Sequence, residues 1–436
     1  MGIAMIKKIN EKMPGWMKRP FAKLIRKKLI CNPVFTETYE LLVKADHMTK
    51  EEKKAVQTET LKKVLQHAYE HTEYYHALFD EYDFNPYKIK GAEDLEKLPV
   101  LTKETLINDL DKMAADDIED VYSVATGGTT GKSVKVFMEK NAIYKEWAFI
   151  YHYWSKFGYD YKTSRLATFR GVDIGKKISE INPLYNEIRL NLFGMCRENI
   201  EKYNKKIDKF GSDFIYGYPS AVYNYCRLNR EAKTDIRGRY KAALLISENL
   251  YPFQEETIRS VLGCPIVMFY GHSERAVFAE RYDKGYLFQP LYGITEMGPE
   301  GEPVVTGFIN GKVPLIRYMV DDKVEYIDED YCQITGHRDS EIVYGRHGEQ
   351  IRAGILNFHG ILSGKVKEFQ FYQEIPGEVE IRISDQNIRD EELRDLQRKF
   401  EKQFDKYFIC KVKKVEHIER TSRGKYRYVI QKCTNI

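Results

Sequence analysis

Residues 126–133 read TGGTTGKS, with three glycines (Gly127, Gly128, Gly131) and three threonines (Thr126, Thr129, Thr130) around Lys132. Such a loop lets backbone N–H groups and hydroxyls come close to phosphate oxygens while a cation offsets their charge. The spacing is not that of a P-loop. With Gly131, Lys132 and Ser133 fixed, the leading glycine of GxxxxGK[ST] would stand where the chain has Thr126. A Gly–Thr turn also closes hairpins, so the loop alone leaves a phosphate reading and a structural one open. The seven cysteines (Cys31, Cys196, Cys226, Cys264, Cys332, Cys410, Cys433) lie far apart and form no CxxC pair. The ten histidines contain no HExxH motif or His cluster. These patterns argue against a disulfide framework and a transition-metal centre, and they fit a reducing compartment.

The elements that must position this loop follow from periodicity. Residues 35–80 read as helices, with Lys53–Tyr75 carrying Val56, Leu61, Val64, Leu65 and Ala68 on one side. From about residue 120 short apolar runs (Leu166–Phe169, Phe214–Tyr216, Ala242–Ile246, Pro265–Tyr270) alternate with helical stretches (Pro219–Glu231, Pro252–Leu262). Strand and helix in alternation predict an α/β body. Residues 285–335, with Gly and Pro punctuation and the runs Val304–Phe308, Leu315–Tyr318 and Val324–Ile327, read as a β subdomain. The last hundred residues predict a small α+β unit: strands Glu368–Gln373 and Glu378–Ser384, a helix Arg389–Phe408 striped by Leu393, Leu396, Phe400 and Phe404, and a strand Lys411–Ile418.

Six further segments point to one family. Leu98–Leu106 reads LPVLTKETL, and Tyr216–Ser220 reads YGYPS. Ser247–Glu274 runs from SENL through a helix to Tyr270, Gly271, His272, Ser273, Glu274. Val313–Asp322 is VPLIRYMVDD, Gly336–Val343 is GHRDSEIV, and Arg420–Arg427 is RTSRGKYR. Together with the 126–133 loop, this series resembles the motifs of the adenylate-forming enzymes in the phenylacetate–CoA ligase and CapK-like (capsular polysaccharide) branch. The resemblance covers about three quarters of the chain. It implies an α/β fold with a large multi-subdomain N-terminal body, β-sheets flanked by helices, and a small mobile α+β C-terminal domain. The expected divisions are an arm over residues 1–34, an ATP- and acyl-binding body over 35–336, and a C-terminal domain over 337–436.

The resemblance also implies roles. Adenylation joins a carboxylate to the α-phosphate of ATP and expels pyrophosphate, so the site needs fixed positive charge and a metal ion. Lys425, after Gly424, is the expected mobile catalytic cation, and Thr129 and Lys132 act from the loop. Glu274 is the expected Mg2+ ligand, since a carboxylate suits that hard ion. Thr126, Gly127, Gly128, Thr130, Gly131, Ser247, Glu248, Tyr270, Gly271, His272 and Ser273 are expected to line the nucleotide, with Tyr270 against adenine. His272 either orients a polar acid or packs on the nucleotide side. Asp322 is expected at the ribose hydroxyls, with Asp321 as the alternative register. Asp339 is the expected hinge. His337 stands where the family has arginine, so Arg338 takes the ribose contact or that contact is weakened.

Composition bounds the partners. The chain has 436 residues, with 69 Lys and Arg against 65 Asp and Glu, a net +4 that predicts no nucleic-acid partner. Residues 1–30 concentrate nine cations (Lys7, Lys8, Lys12, Lys18, Arg19, Lys23, Arg26, Lys27, Lys28) against one anion, Glu11. Met17, Phe21, Leu24, Ile25 and Leu29 recur between them at helical spacing. Such an arm either packs its apolar stripe on the body or lies in an anionic membrane interface. No apolar h-region marks a signal peptide, and Ile6 occupies the place a myristoylation signal gives to Ser or Thr. The expected location is cytoplasmic, with the arm as the route to the inner membrane face.

The expected function is therefore an ATP-dependent ligase acting on a small carboxylic acid. Coenzyme A is the default acceptor, and a sugar or other amine is the alternative that the CapK resemblance raises. A non-catalytic nucleotide-binding component of a polysaccharide assembly complex is the competing reading. Aromatic-rich stretches Tyr144–Phe157 and Tyr216–Tyr225 suggest an aromatic or amphipathic acid.

Overall fold

The computed structural model describes residues 32–125, 135–170, 174–175, 177–192, 195–247, 250, 252–298, 301–320, 322–335, 342–352, 361, 366, 368–385, 387–419 and 429–433. Four helices open the described chain: α1 (Pro33–Ala45), α2 (Lys50–His71), α3 (Glu73–Glu81) and α4 (Lys103–Asn108). Thr49 and Glu52 cap α2 reciprocally, each side chain accepting from the other's backbone N–H. The helix expected to run to Tyr75 stops at Thr72. There the hydroxyl donates to the Ala68 carbonyl and accepts from Tyr75 N–H, so one side chain ends α2 and starts α3.

A hairpin, β1 (Val121–Ala125) and β2 (Lys135–Glu139), flanks the Gly-rich loop, and α5 (Ala142–Ser155) follows. Next come β3 (Leu166–Phe169), β4 (Ser179–Asn182), β5 (Glu187–Leu190), α6 (Ile200–Phe210), β6 (Phe214–Gly217), α7 (Pro219–Glu231), β7 (Ala242–Leu245), α8 (Pro252–Leu262) and β8 (Ile266–Gly271). Strands β5, β3, β6, β7 and β8 lie side by side and parallel. Their faces alternate. Leu166, Phe214, Leu244 and Val267 pack into one core with α1 and α5. Ala167, Phe169, Ile215, Leu245 and Met268 pack into another with α6 and α7. Burial on both faces explains why these strands read as unbroken apolar runs.

β9 (Phe278–Tyr282), β10 (Gly285–Phe288), β14 (Lys323–Tyr326) and β15 (Tyr331–Thr335) extend this sheet antiparallel on one side, and β4 closes the other, giving ten strands. Only β11 (Gly293–Met297), β12 (Pro303–Gly307) and β13 (Tyr318–Met319) form a separate three-stranded sheet. The segment 285–335 is thus a subdomain only in part: among its described strands β10, β14 and β15 find their partners in the large sheet, while β11, β12 and β13 pair among themselves. The run from Leu315 enters a strand only at Tyr318. Its backbone is engaged instead by Gly307 and by Leu101, whose neighbour Thr102 caps α4.

The C-terminal unit contains a hairpin, β16 (Ile342–Tyr344) and β17 (Gln350–Arg352), and a four-stranded sheet. The sheet is built from β18 (Glu368–Gln373), β19 (Glu378–Ser384), β20 (Ile409–Lys414) and β21 (Val429–Gln431), with α9 (Asp390–Phe404) between β19 and β20. Leu396, Phe400 and Phe404 of α9 pack on Phe371, Val379 and Ile381 in a core of its own. The helix is shorter than expected, ending at Phe404, because the chain turns back for Phe408 to join that core. A final strand, β21, was not legible in advance; it pairs parallel to β18. Among the described residues no helix is long and apolar enough to cross a membrane.

Candidate functional site

The five parallel strands end on one edge, and open parallel sheets take ligands outside that carboxyl edge. Arg170 follows β3, Tyr218 follows β6, Ser247 lies just beyond β7, and Tyr270–His272 end β8. The backbone crowds here. A Cβ on Gly217 would lie 2.1 Å from the Phe169 carbonyl oxygen, so only glycine lets β6 approach β3 before Pro219 opens α7. Ser247 holds φ +63, a left-handed conformation that costs a non-glycine residue energy and marks a tight turn.

Tyr270, His272 and Asp322 meet at this edge. The Tyr270 hydroxyl donates to Asp322 Oδ2 across 2.7 Å, and His272 Nε2 lies 2.8 Å from the same oxygen. The two rings sit edge to face at 4.9 Å. Burial, reinforced by the Asp322 charge, pushes the Tyr270 phenol well above its ordinary range, so it remains a donor. The imidazole thus faces the Asp322 carboxylate.

Glu274 is 7% exposed, yet among the described residues none forms an ion pair or hydrogen bond with its carboxylate. Its neighbour Arg275 turns away: its Nε donates to Glu146 Oε2 of α5 across 2.7 Å, with φ at +54. Burial raises the Glu146 pKa and the Arg275 guanidinium opposes that rise. A buried carboxylate with no cation paired to it among the described residues fits a hard metal ion, which would supply the missing charge.

Arg170 was not singled out from sequence. Its guanidinium lies over the rings of Tyr216 at 5.6 Å and Tyr218 at 5.9 Å, and Nη1 donates to the Tyr216 hydroxyl across 3.2 Å. Glu187, whose charge Arg170 senses, is engaged by Thr168, Asn182 and Arg189. Among the described residues no carboxylate forms an ion pair with Arg170. A guanidinium lying over aromatic faces, with no anion paired to it among the described residues, offers a place for one. The available signal was a cation directly after the short run Leu166–Phe169. The aromatic stretch Tyr144–Phe157 is different: Tyr144, Phe149, Tyr151, Tyr153 and Trp154 are core residues, as is Tyr225. Their abundance reflects packing and says little about an acid.

Of the expected site residues, the structure brings Tyr270, His272 and Asp322 into contact, places Gly271 at the end of β8, and sets Ser273 and Glu274 in the turn after it. Thr126, Gly127, Gly128, Thr129, Thr130, Gly131, Lys132, Glu248, Asp321, Arg338, Asp339 and Lys425 lie outside the described residues, as does the arm of residues 1–30.

Residues 343–432 match the family model of the CapK C-terminal domain. Over 269 residues the chain is 25% identical to Protein CapK of Staphylococcus aureus, covering 59% of this chain and 60% of that protein. Over 100 residues it is 36% identical to phenylacetate–coenzyme A ligase of Escherichia coli, covering 22% of this chain and 23% of the ligase. The alignments therefore span about three fifths of the CapK length and under a quarter of the ligase. The fold is similar to that of 2-hydroxyisobutyryl-CoA ligase, whose crystal structure holds 2-HIB-AMP and CoA in the thioesterification state. The TM-score is 0.53 at 19% identity, over 89% of this chain and 91% of that one.

Proposed function

We propose that this chain, which carries the fold of the adenylate-forming ligases and counts CapK and phenylacetate–CoA ligase among its relatives, is an ATP-dependent acid ligase. The observation that carries the reading is the Tyr270–His272–Asp322 cluster at the carboxyl edge of the parallel sheet, beside a buried Glu274 that has no partner among the described residues. In this reading an oxygen of the acid attacks the α-phosphorus of ATP. The bond from that phosphorus to the bridging oxygen of the β-phosphate breaks, and pyrophosphate departs with its electron pair. Acyl transfer to a thiol or amine then releases AMP.

Each residue has a task. The 126–133 loop, through Thr129, Lys132 and its glycines, cradles the departing phosphates. Asp322 holds the ribose hydroxyls, and the Tyr270 ring, fixed by its own hydroxyl, lies against adenine. Glu274 holds Mg2+, which neutralises phosphate charge when bound. Lys425 enters from the C-terminal domain, which turns about Asp339, and spans the acyl oxygen and the α-phosphate. Arg170 faces the acid and favours one with an anionic or strongly polar group besides the carboxyl that reacts.

Coenzyme A is the acceptor favoured by the ligase relatives, and the CapK likeness keeps an amine or sugar acceptor in a surface-polysaccharide pathway as the second choice. The protein would work in the cytoplasm, with the basic arm of residues 1–30 resting on an anionic membrane. Deletion of residues 2–30 should then abolish flotation with anionic liposomes.

Acid-dependent ATP–pyrophosphate exchange across aryl, fatty, amino and hydroxy acids tests the central reading. Exchange with a subset of acids supports it. Nucleotide binding without exchange for any acid would favour a non-catalytic partner of a glycan assembly complex.

A further inference from the structure

A second group of donors gathers at the C-terminal end of α2. His67 and His71 stand four residues apart in the last turn of α2 and so share one helix face. Asp117 reaches them from the turn that leads into β1. That turn is pinned to the helix end, for Asp116 N–H donates to the His71 carbonyl across 2.9 Å.

Asp117 lies 3.1 and 3.2 Å from His67 Nε2 through its two oxygens. His71 Nε2 lies 3.9 Å from Asp117 Oδ2 and 4.0 Å from Glu70 Oε2. One ligand atom each from His67, His71 and Asp117 falls within 4.8 Å of the others. We propose that these three side chains bind a divalent transition-metal ion of the zinc type, separate from any Mg2+ at Glu274.

Three features support this. First, His71 Nδ1 lies 2.9 Å from Asp116 Oδ1. With the proton held there, Nε2 presents its lone pair toward Asp117, the arrangement that orients metal-binding histidines. Second, metal–nitrogen bonds of about 2.0–2.1 Å put tetrahedral donors roughly 3.3 Å apart. Closing from 4.8 Å needs only small rotations of partly exposed side chains. Third, two imidazoles with one carboxylate suit zinc, nickel or copper and not a hard ion.

Glu70, oriented by a 2.6 Å hydrogen bond from the Tyr87 hydroxyl, or a water fills the remaining position. The bound ion would clamp α2 to a turn 50 residues further along the chain. The sequence by itself offers no histidine cluster and argues against a transition-metal centre; only the fold brings Asp117 to His67 and His71.

The test is calorimetric titration of the full-length, chelator-stripped protein with Zn2+, with Co2+ absorption as a second readout. The expected result is one equivalent bound, a Co2+ spectrum without a thiolate charge-transfer band, and a melting temperature raised by Zn2+. His67→Gln and Asp117→Asn should each weaken binding at least about tenfold, and Asp116→Asn by about tenfold through His71 alone. No stoichiometric binding would overturn the proposal. So would undiminished binding in both His67→Gln and Asp117→Asn, or a thiolate band, which would assign the metal to the cysteines. Melting curves in chelator, expected to coincide for all variants, separate lost binding from lost folding.

Discussion

The hydroxyl of Tyr270 and the carboxylate of Asp322, 52 positions apart in sequence, are joined by a 2.7 Å hydrogen bond that ties the end of β8 to the residue before β14. His272 shares the same oxygen, so one carboxylate orders two rings at the sheet edge. A change at Asp322 should therefore alter nucleotide contact and ring orientation together.

Asp322→Asn should keep the fold and weaken ATP binding by about 10- to 100-fold, the value of a hydrogen bond to a charged group at about 1.5–3 kcal/mol. Fluorescent-nucleotide titration measures this. Wild-type affinity would remove Asp322 from the site.

Lys425→Ala should lower acyl-adenylate formation by about a hundredfold or more, since a cation that meets charge developing in the transition state is worth several kcal/mol. ATP affinity and the melting temperature should stay unchanged. Single-turnover trapping of the adenylate separates chemistry from binding.

Arg170→Met should raise the KM for the acid by about tenfold or more while leaving the KM for ATP alone, because a guanidinium–carboxylate contact is both charged and bidentate. Arg170→Lys should restore only part of the loss, since a lysine lacks the planar fork. Equal KM values for the acid in wild type and Arg170→Met would exclude this residue from acid recognition.

Glu255 of α8 pairs with Arg259 one turn on and with Arg281 of β9. Burial alone would raise its pKa, but the hydrogen bonds and charges of the two arginines outweigh it, and the folded value lies below 4.5. A group with a lowered folded pKa adds stability above its unfolded value and loses it as pH falls through the folded one. Glu255→Gln should cost about 1 kcal/mol near pH 7, in the upper range for such pairs. The gap to wild type should narrow in urea melts as pH falls from 4.5 through the lowered folded value.

The order and type of many elements could be read from the chain because local physics sets them. Pro219–Glu231 and Pro252–Leu262 carry their own proline starts and periodicity, and they form helices with those same bounds. The runs at Leu166, Phe214 and Ala242 are apolar because both sheet faces are buried. The motif residues Tyr270, His272 and Asp322 were also named in advance. What the chain could not disclose was partnership across distance. Within residues 285–335, β10, β14 and β15 join the large sheet because their strands need backbone partners, and no pattern along the chain says which edge supplies them. Arg275 stands next to Glu274 in the chain, yet with a left-handed backbone it pairs with Glu146 of α5 instead. Arg170 becomes a candidate only once β6 sets Tyr216 and Tyr218 beneath it, and Asp117 only once its turn meets the end of α2. Residue types and near spacing fix which chemistry is available; only packing fixes which charges are left unpaired, because that depends on neighbours brought from dozens of positions away.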